Sequence, residues 1–127
     1  MGKYFAALCK EIMEKGKMIS FPVNHIYIGG GTPSVACWYF PRLKEAIYSS
    51  FTIAEGAEIS VECNPESITL PFVSSAKKLG VNRVSVGIQT LSDPLLKTIG
   101  RAHDRAYAIM ALDRLTQSFP SVNADIM

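Results

Sequence analysis

The sequence predicts an α/β fold of parallel strands joined by crossover helices, and three observations predict it. Short apolar runs of strand length recur at "HIYIG", "EISVEC", "NRVSVGI" and "SVNADIM". Between them lie longer stretches whose apolar residues fall at helical spacing. Glycines, prolines and small polar residues mark the joins. Strands that alternate with helices in this way call for a parallel sheet with right-handed crossovers.

Taken in order, residues 3–15 place Tyr4, Phe5, Leu8, Ile12 and Met13 on one helical face with Lys and Glu between them, and Gly16 is positioned to end that helix. "HIYIG", residues 25–29, follows as a strand. Pro41 stands near the start of a second helix whose apolar face is Leu43, Ala46, Ile47 and Phe51, and "EISVEC", residues 58–63, is the second strand. A third helix begins near Thr69, accommodates Pro71 in its first turn and stops at Gly80, after which residues 82–88 form the third strand. Ser92 and Asp104 are N-caps for a short helix and then a longer one with apolar positions Ala108, Ile109, Ala111, Leu112 and Leu115. "SVNADIM" closes the chain as a fourth strand. Residues 1–127 read as one unit without a linker or low-complexity tract. A helix opens it and a strand closes it, so the unit reads as a segment of a larger barrel or wound sheet.

Composition narrows the function classes. With 127 residues, 48% apolar and 19% charged, the chain falls in the range of one globular domain. Thirteen Lys and Arg against eleven Asp and Glu leave +2, spread without a basic block, so neither nucleic acid nor an anionic membrane surface is implied. No apolar run approaches the ~20 residues that cross a bilayer, and the N-terminal stretch carries charges through its apolar positions, so a cytoplasmic location is expected. Cys9, Cys37 and Cys63 lie 28 and 26 residues apart and match neither a zinc site nor a disulfide framework. They read as buried or incidental thiols.

In parallel α/β folds the ligand site lies at the carboxyl ends of the strands, and the unusual residues collect there. The first strand ends in Gly29, Gly30, Gly31, Thr32 and Pro33, the second in Glu62, Cys63, Asn64 and Pro65, the third in Gly87 and Gln89, and the fourth in Asn123 and Asp125. Singly each has an ordinary explanation as a turn or a solvated strand end. Their shared edge points to one pocket. The glycines do not fit a P-loop, since no lysine follows, and the dinucleotide pattern would need glycine where Ser34 stands. Bare backbone instead offers N–H and C=O groups that can meet an amine and a carboxylate directly, which suits an amino-acid-like ligand.

"IYIGGGTPS", "EISVECNPES", "GVNRVSVGIQTLSDPLLKTIGRAH" and "VNADIM", in this order and at these intervals, resemble the radical S-adenosylmethionine core of the oxygen-independent coproporphyrinogen III oxidase family, including its haem-chaperone-like branch. The resemblance covers nearly the whole chain. It implies a partial (β/α)6, TIM-like barrel, incomplete at both ends, of which this chain spans four strands. It also implies S-adenosylmethionine as cofactor, contacted by Gly30, Gly31 and Thr32 at its methionine moiety and by Glu62, Gln89, Arg101 and Asp125 elsewhere in the pocket. Chemically, Glu62 and Asp125 can accept from ribose hydroxyls or the ammonium, Gln89 can donate and accept, and Arg101 can fork onto a carboxylate.

The family's [4Fe-4S] cluster is held by a C-x-x-x-C-x-x-C loop upstream of the matched segment, and the spacing of Cys9, Cys37 and Cys63 does not supply it. The chain alone is therefore expected to lack a metal site and activity, and to need the missing portions of the barrel. The resemblance implies two readings. One is an oxidoreductase that splits the cofactor to a 5′-deoxyadenosyl radical and abstracts hydrogen from a porphyrinogen propionate. The other is a chaperone that binds haem and transfers it to a client, towards which "GRAH", with Arg101 and His103, leans. An unrelated nucleotide-binding α/β domain is the more distant alternative. Trp38, in the aromatic stretch "VACWYF", is expected to pack under the pocket or to cover surface that adjoins the rest of the barrel.

Overall fold

Side-chain alternation along the strands decides how the sheet is used. The computed structural model describes residues 1–127. It contains one sheet of four strands, β1 (Val23–Ile28), β2 (Ile53–Cys63), β3 (Arg83–Gln89) and β4 (Ser121–Ile126), in sequence order. Every neighbouring pair is parallel. The helices are α1 (Gly2–Gly16), α2 (Phe40–Ser50), α3 (Leu70–Leu79), α4 (Asp93–Thr98) and α5 (Arg105–Thr116). No helix is long and apolar enough to cross a membrane.

Residues paired across parallel strands share a face, so the register sorts the sheet into two surfaces. Ile59, Val61, Cys63, Val84, Val86 and Ile88 join Leu43, Ile47, Phe72, Ala76, Ala108, Ala111 and Leu115 from α2, α3 and α5 in one core. Val61, Val84, Phe72 and Leu115 are wholly buried, and each such side chain contributes roughly 1.5–3 kcal/mol over an exposed position. The opposite surface is polar. Tyr27 pairs with Ser60, Glu62 with Ser85, Ser85 with Asn123, and Gly87 with Asp125.

The caps hold at Thr69 and Asp104, whose side chains accept from Phe72 N at 3.2 Å and Tyr107 N at 2.8 Å. Gly80 ends α3 with φ of 101°. Ser92 occupies the N-cap position of α4 but its side chain makes no capping bond. The carboxylate of the next residue, Asp93, instead accepts from Arg105 N at 2.7 Å and ties α4 to the start of α5.

Other expectations are corrected. β2 starts at Ile53 rather than residue 58: its register with β1 jumps from Val23↔Ile53 to His25↔Glu58, and the extra residues, including Gly56, form an irregular bulge. On α1 only Phe5 and Cys9 are buried, while Tyr4 and Met13 are 65% and 53% exposed. The helix packs on α2 and overhangs the free edge of β1, above an apolar groove of about 460 Å³ lined by Leu8, Ile12, Ile26 and Ile28. Ile109 on α5 is 47% exposed. Trp38 lies on a 3-10 segment, Pro33–Tyr39, and at 73% exposed it does not pack under the pocket.

Gly16 closes α1 as expected, but its side-chain requirement comes from packing. A Cβ there would stand 2.5 Å from Ser50 O and 2.6 Å from Ser50 Cβ at the end of α2. Glycine to alanine in an open helix gains about 1 kcal/mol. Here the collision reverses the sign, and Gly16→Ala is expected to lower stability by roughly 1–3 kcal/mol, read from denaturant melts; unchanged or raised stability would refute the contact.

Candidate functional site

Strand β1 runs out at Ile28, and the chain continues through Gly29, Gly30 and Gly31 into the 3-10 segment. Gly30 and Gly31 have φ of 87° and 63°, and a Cβ on either would meet nothing within 4 Å. These conformations favour glycine, and the space in front of both residues is open. The backbone here is presented to that space without side chains.

Glu62 stands beside this loop. Its Oε2 accepts from Gly30 N at 3.0 Å, and its Oε1 accepts from the Tyr27 hydroxyl. The carboxylate raises the Tyr27 phenol above its ordinary value of 10.0, first through the hydrogen bond and then through burial and the charges of Glu62 and Asp125.

A second set of contacts gathers one strand further along. Asn64 begins a short turn, Pro65–Ser67, and is fixed by reciprocal bonds with Ser67, whose Oγ accepts from Asn64 N at 3.2 Å and donates to Asn64 O at 2.7 Å. The Asn64 amide donates to Thr32 Oγ1 at 3.0 Å, and its carbonyl accepts from Arg101 Nη2 at 3.0 Å. Arg101 Nη2 also donates to Gly87 O at 2.6 Å. Gln89 closes the group. A Cβ on Gly87 would lie 2.9 Å from Gln89 Nε2, 3.0 Å from Arg101 Nη2 and 3.3 Å from Asn64 Oδ1. Gln89 is the one non-glycine residue with positive φ, at 66°, a strained conformation of the kind that clusters at functional sites.

Of the seven residues expected in the pocket, Gly30 and Glu62 are therefore joined directly, and Thr32, Arg101 and Gln89 meet around Asn64 and Gly87. Gly31 faces the same open space. Asp125 pairs with Gly87 in the sheet but its carboxylate turns to Ser85 Oγ at 2.9 Å and Asn123 Nδ2 at 2.7 Å, without a hydrogen bond to the other six. Arg101 is not a solvated loop residue. Nη2 is engaged by internal acceptors and buried Nε has no partner, which leaves Nη1 as its outward donor. His103 is likewise enclosed, with Nδ1 3.1 Å from Glu66 Oε2. Two contributors were not singled out from sequence: Tyr27, which shares the phase of Glu62 on the polar face, and the bridging role of Asn64.

The thiols do not fit an iron–sulfur cluster. Cys9 is on α1, Cys37 on the 3-10 segment and Cys63 at the end of β2, all buried and free. Cys9 and Cys63 donate to the backbone carbonyls of Arg42 and Ser85, and no group of three metal-capable side chains converges anywhere. Burial pushes the Cys63 thiol up to about 12, with the charges of Asp125 and Glu66 adding to it. Burial also raises Cys37.

Against known proteins, the model of the Radical SAM superfamily matches residues 2–127. Over 98% of this chain, the sequence is 36% identical to the heme chaperone HemW of Buchnera aphidicola and 31% identical to the oxygen-independent coproporphyrinogen III oxidase of Synechocystis. The chain spans 34% and 28% of those two proteins. The structure of the Escherichia coli coproporphyrinogen III oxidase HemN, a radical SAM enzyme, superposes with a TM-score of 0.89 at 27% identity, over 98% of this chain and 30% of that one. The parallel partial-barrel architecture expected from the sequence is thereby shown.

The cysteines generate a pH prediction. The folded state keeps the Cys63 proton to about pH 12, whereas the ordinary thiol value is 9.0. Above pH 9 the unfolded chain releases a proton that the folded chain retains, so stability is whole below that point and declines as pH rises towards 12. Urea midpoints at about pH 8 and about pH 10 should fall in that order, and Cys63→Ala should flatten the slope. Native alkylation at Cys63 as fast as in urea would contradict its burial.

Proposed function

Because the chain belongs to the Radical SAM superfamily, we propose that its glycine loop and polar sheet face bind S-adenosylmethionine, with residues 1–127 forming one segment of a radical SAM core domain. The observation that carries this reading is the pairing of open, positive-φ backbone at Gly30 and Gly31 with an anchored carboxylate at Glu62. Bare amide and carbonyl groups suit the zwitterionic methionyl end of the ligand, and the carboxylate suits its ribose hydroxyls or ammonium.

In this reading Thr32 holds the far side of the glycine loop through Asn64. Gln89, lifted by its positive φ, presents an amide that both donates and accepts. Arg101 offers Nη1 to a carboxylate while Nη2 keeps the guanidinium in place. Asp125 accepts from the ligand once Ser85 and Asn123 have set its orientation. Bound there, S-adenosylmethionine would supply a reductively cleavable sulfonium as a source of hydrogen-abstracting radicals. The chain's own residues bind and orient it and shape what reaches it.

The relatives' names support a porphyrin as the second small molecule of the whole protein. Oxidative decarboxylation of a porphyrinogen is one reading, carried by the structural match to HemN. Haem binding and transfer is the other, favoured by the 36% identity to HemW. In a polypeptide that joins this segment to a cluster-binding cysteine loop, porphyrinogen turnover supports the first and stable haem binding without turnover supports the second.

The pocket itself is tested on the 127-residue chain. Each hydrogen bond should contribute only about 0.5–1.5 kcal/mol net, more where a charge takes part. S-adenosylmethionine should therefore bind weakly by calorimetry, with a dissociation constant near the millimolar range, or roughly 4 kcal/mol. Gly31→Val should abolish binding, because a branched side chain is strained at φ of 63° and fills the open space. Binding untouched by Gly31→Val would place the ligand elsewhere.

A further inference from the structure

We infer that Tyr27 is a positioning residue of this pocket, which locks the Glu62 carboxylate so that its remaining acceptor capacity faces the open space at Gly30 and Gly31 and selects a ligand with two adjacent donors, such as a vicinal diol. The inference rests on the proposed S-adenosylmethionine site and names what sets its selectivity there.

The geometry points to this role in three ways. First, the two carboxylate oxygens are held separately: Oε1 accepts from the Tyr27 hydroxyl and Oε2 from Gly30 N. A carboxylate held at one oxygen still rotates about its terminal bond, while one held at both does not. Each oxygen keeps a lone pair, because an ionised carboxylate accepts about four hydrogen bonds in all. Two fixed acceptors on a common plane match a pair of neighbouring hydroxyls better than a single donor.

Second, the glycine at the start of the loop serves this contact. A Cβ on Gly29 would stand 2.5 Å from the Tyr27 ring at Cε1 and 3.1 Å from Glu62 Oε2. The ring and the carboxylate occupy the space that any other side chain at this position would need. Gly29 thus differs from Gly30 and Gly31, which are open, and its close approach belongs to the Tyr27–Glu62 pair.

Third, Tyr27 is not a core residue. It is 60% exposed and reaches the carboxylate from the polar face, in phase with Ser60. Its hydroxyl contributes little to the packing that holds the sheet together. The rise in its phenol pKa, caused first by the bond to Glu62, follows from the same contact.

The test compares Tyr27→Phe and Glu62→Gln in the 127-residue chain, with S-adenosylmethionine and its 2′-deoxy analogue as calorimetric probes. Tyr27→Phe should keep the melting temperature, weaken S-adenosylmethionine about five- to tenfold, within the range of one net hydrogen bond, and erase the preference for the diol over the deoxy analogue. In parallel, Glu62→Gln should weaken binding and lower the pH at which the Tyr27 tyrosinate absorbs, assigned by difference from Tyr27→Phe. Weakening by Glu62→Gln with full affinity and full diol preference in Tyr27→Phe would overturn the positioning role and leave the site standing. Affinity unchanged in both variants, or no binding by the parent chain, would overturn the site and the positioning role together.

Discussion

Within residues 1–127 the organisation depends on a parallel sheet that packs one face on helices and keeps the other polar. Parallel sheets are ordinarily covered on both sides, and their strands then read as unbroken apolar runs. Here the strands alternate. Ile26, Ile28, Ile59, Val61, Val84 and Val86 point towards α2, α3 and α5, while Tyr27, Ser60, Glu62, Ser85, Asn123 and Asp125 point the other way. Slipping any strand by one residue would exchange its two sets, and in β2 or β4 it would put a carboxylate into the helix layer. The register that protects the core is therefore also what aligns the polar groups.

That alignment explains how residues far apart in sequence come to share a site without being packed together. Gly30 and Glu62 are brought within 3.0 Å of one another by the pairing of β1 with β2. Beyond the strand ends the work passes from the sheet to hydrogen bonds. Asn64 links the loop after β1, through Thr32, to the loop after α4, through Arg101. The Glu66–His103 contact repeats that link two residues further along on each side. The segment carrying Arg101 thus docks on the Pro65–Ser67 turn at two points, which defines its position more closely than a single bond would.

Much of this was legible in the sequence, for physical reasons that also mark where legibility ended. Strand cores and their parallel order follow from apolar periodicity, and Thr69, Gly80 and Asp104 mark helix ends through local chemistry that needs no tertiary context. The edge of β1 was harder. Tyr4 and Met13 have the spacing of a buried face, yet α1 lies over an open groove, and spacing does not record whether a partner is present. The early start of β2 at Ile53 was hidden because "AEGAE" has weak strand propensity and pairs only through a register jump. In the site, glycines and charges at strand ends announced themselves. Tyr27 did not, because an aromatic residue in a strand is the commonest of sights and its role depends on which carboxylate stands beside it.

Within residues 1–127 the sheet has two edges that are not alike. β1 ends it against an apolar groove, and β4 ends it among exposed polar groups with Ile126 and Met127 beside them. Each edge carries unpaired backbone donors and acceptors. When copies of such a chain meet, the edge of one is most readily completed by the opposite edge of another, because the direction of the strands can continue unbroken. That contact is head-to-tail, so it does not stop at two molecules: it closes into a ring if the curvature suffices and otherwise grows into a filament. For residues 1–127 taken alone, colloidal behaviour thus follows from the same parallel order that builds the pocket.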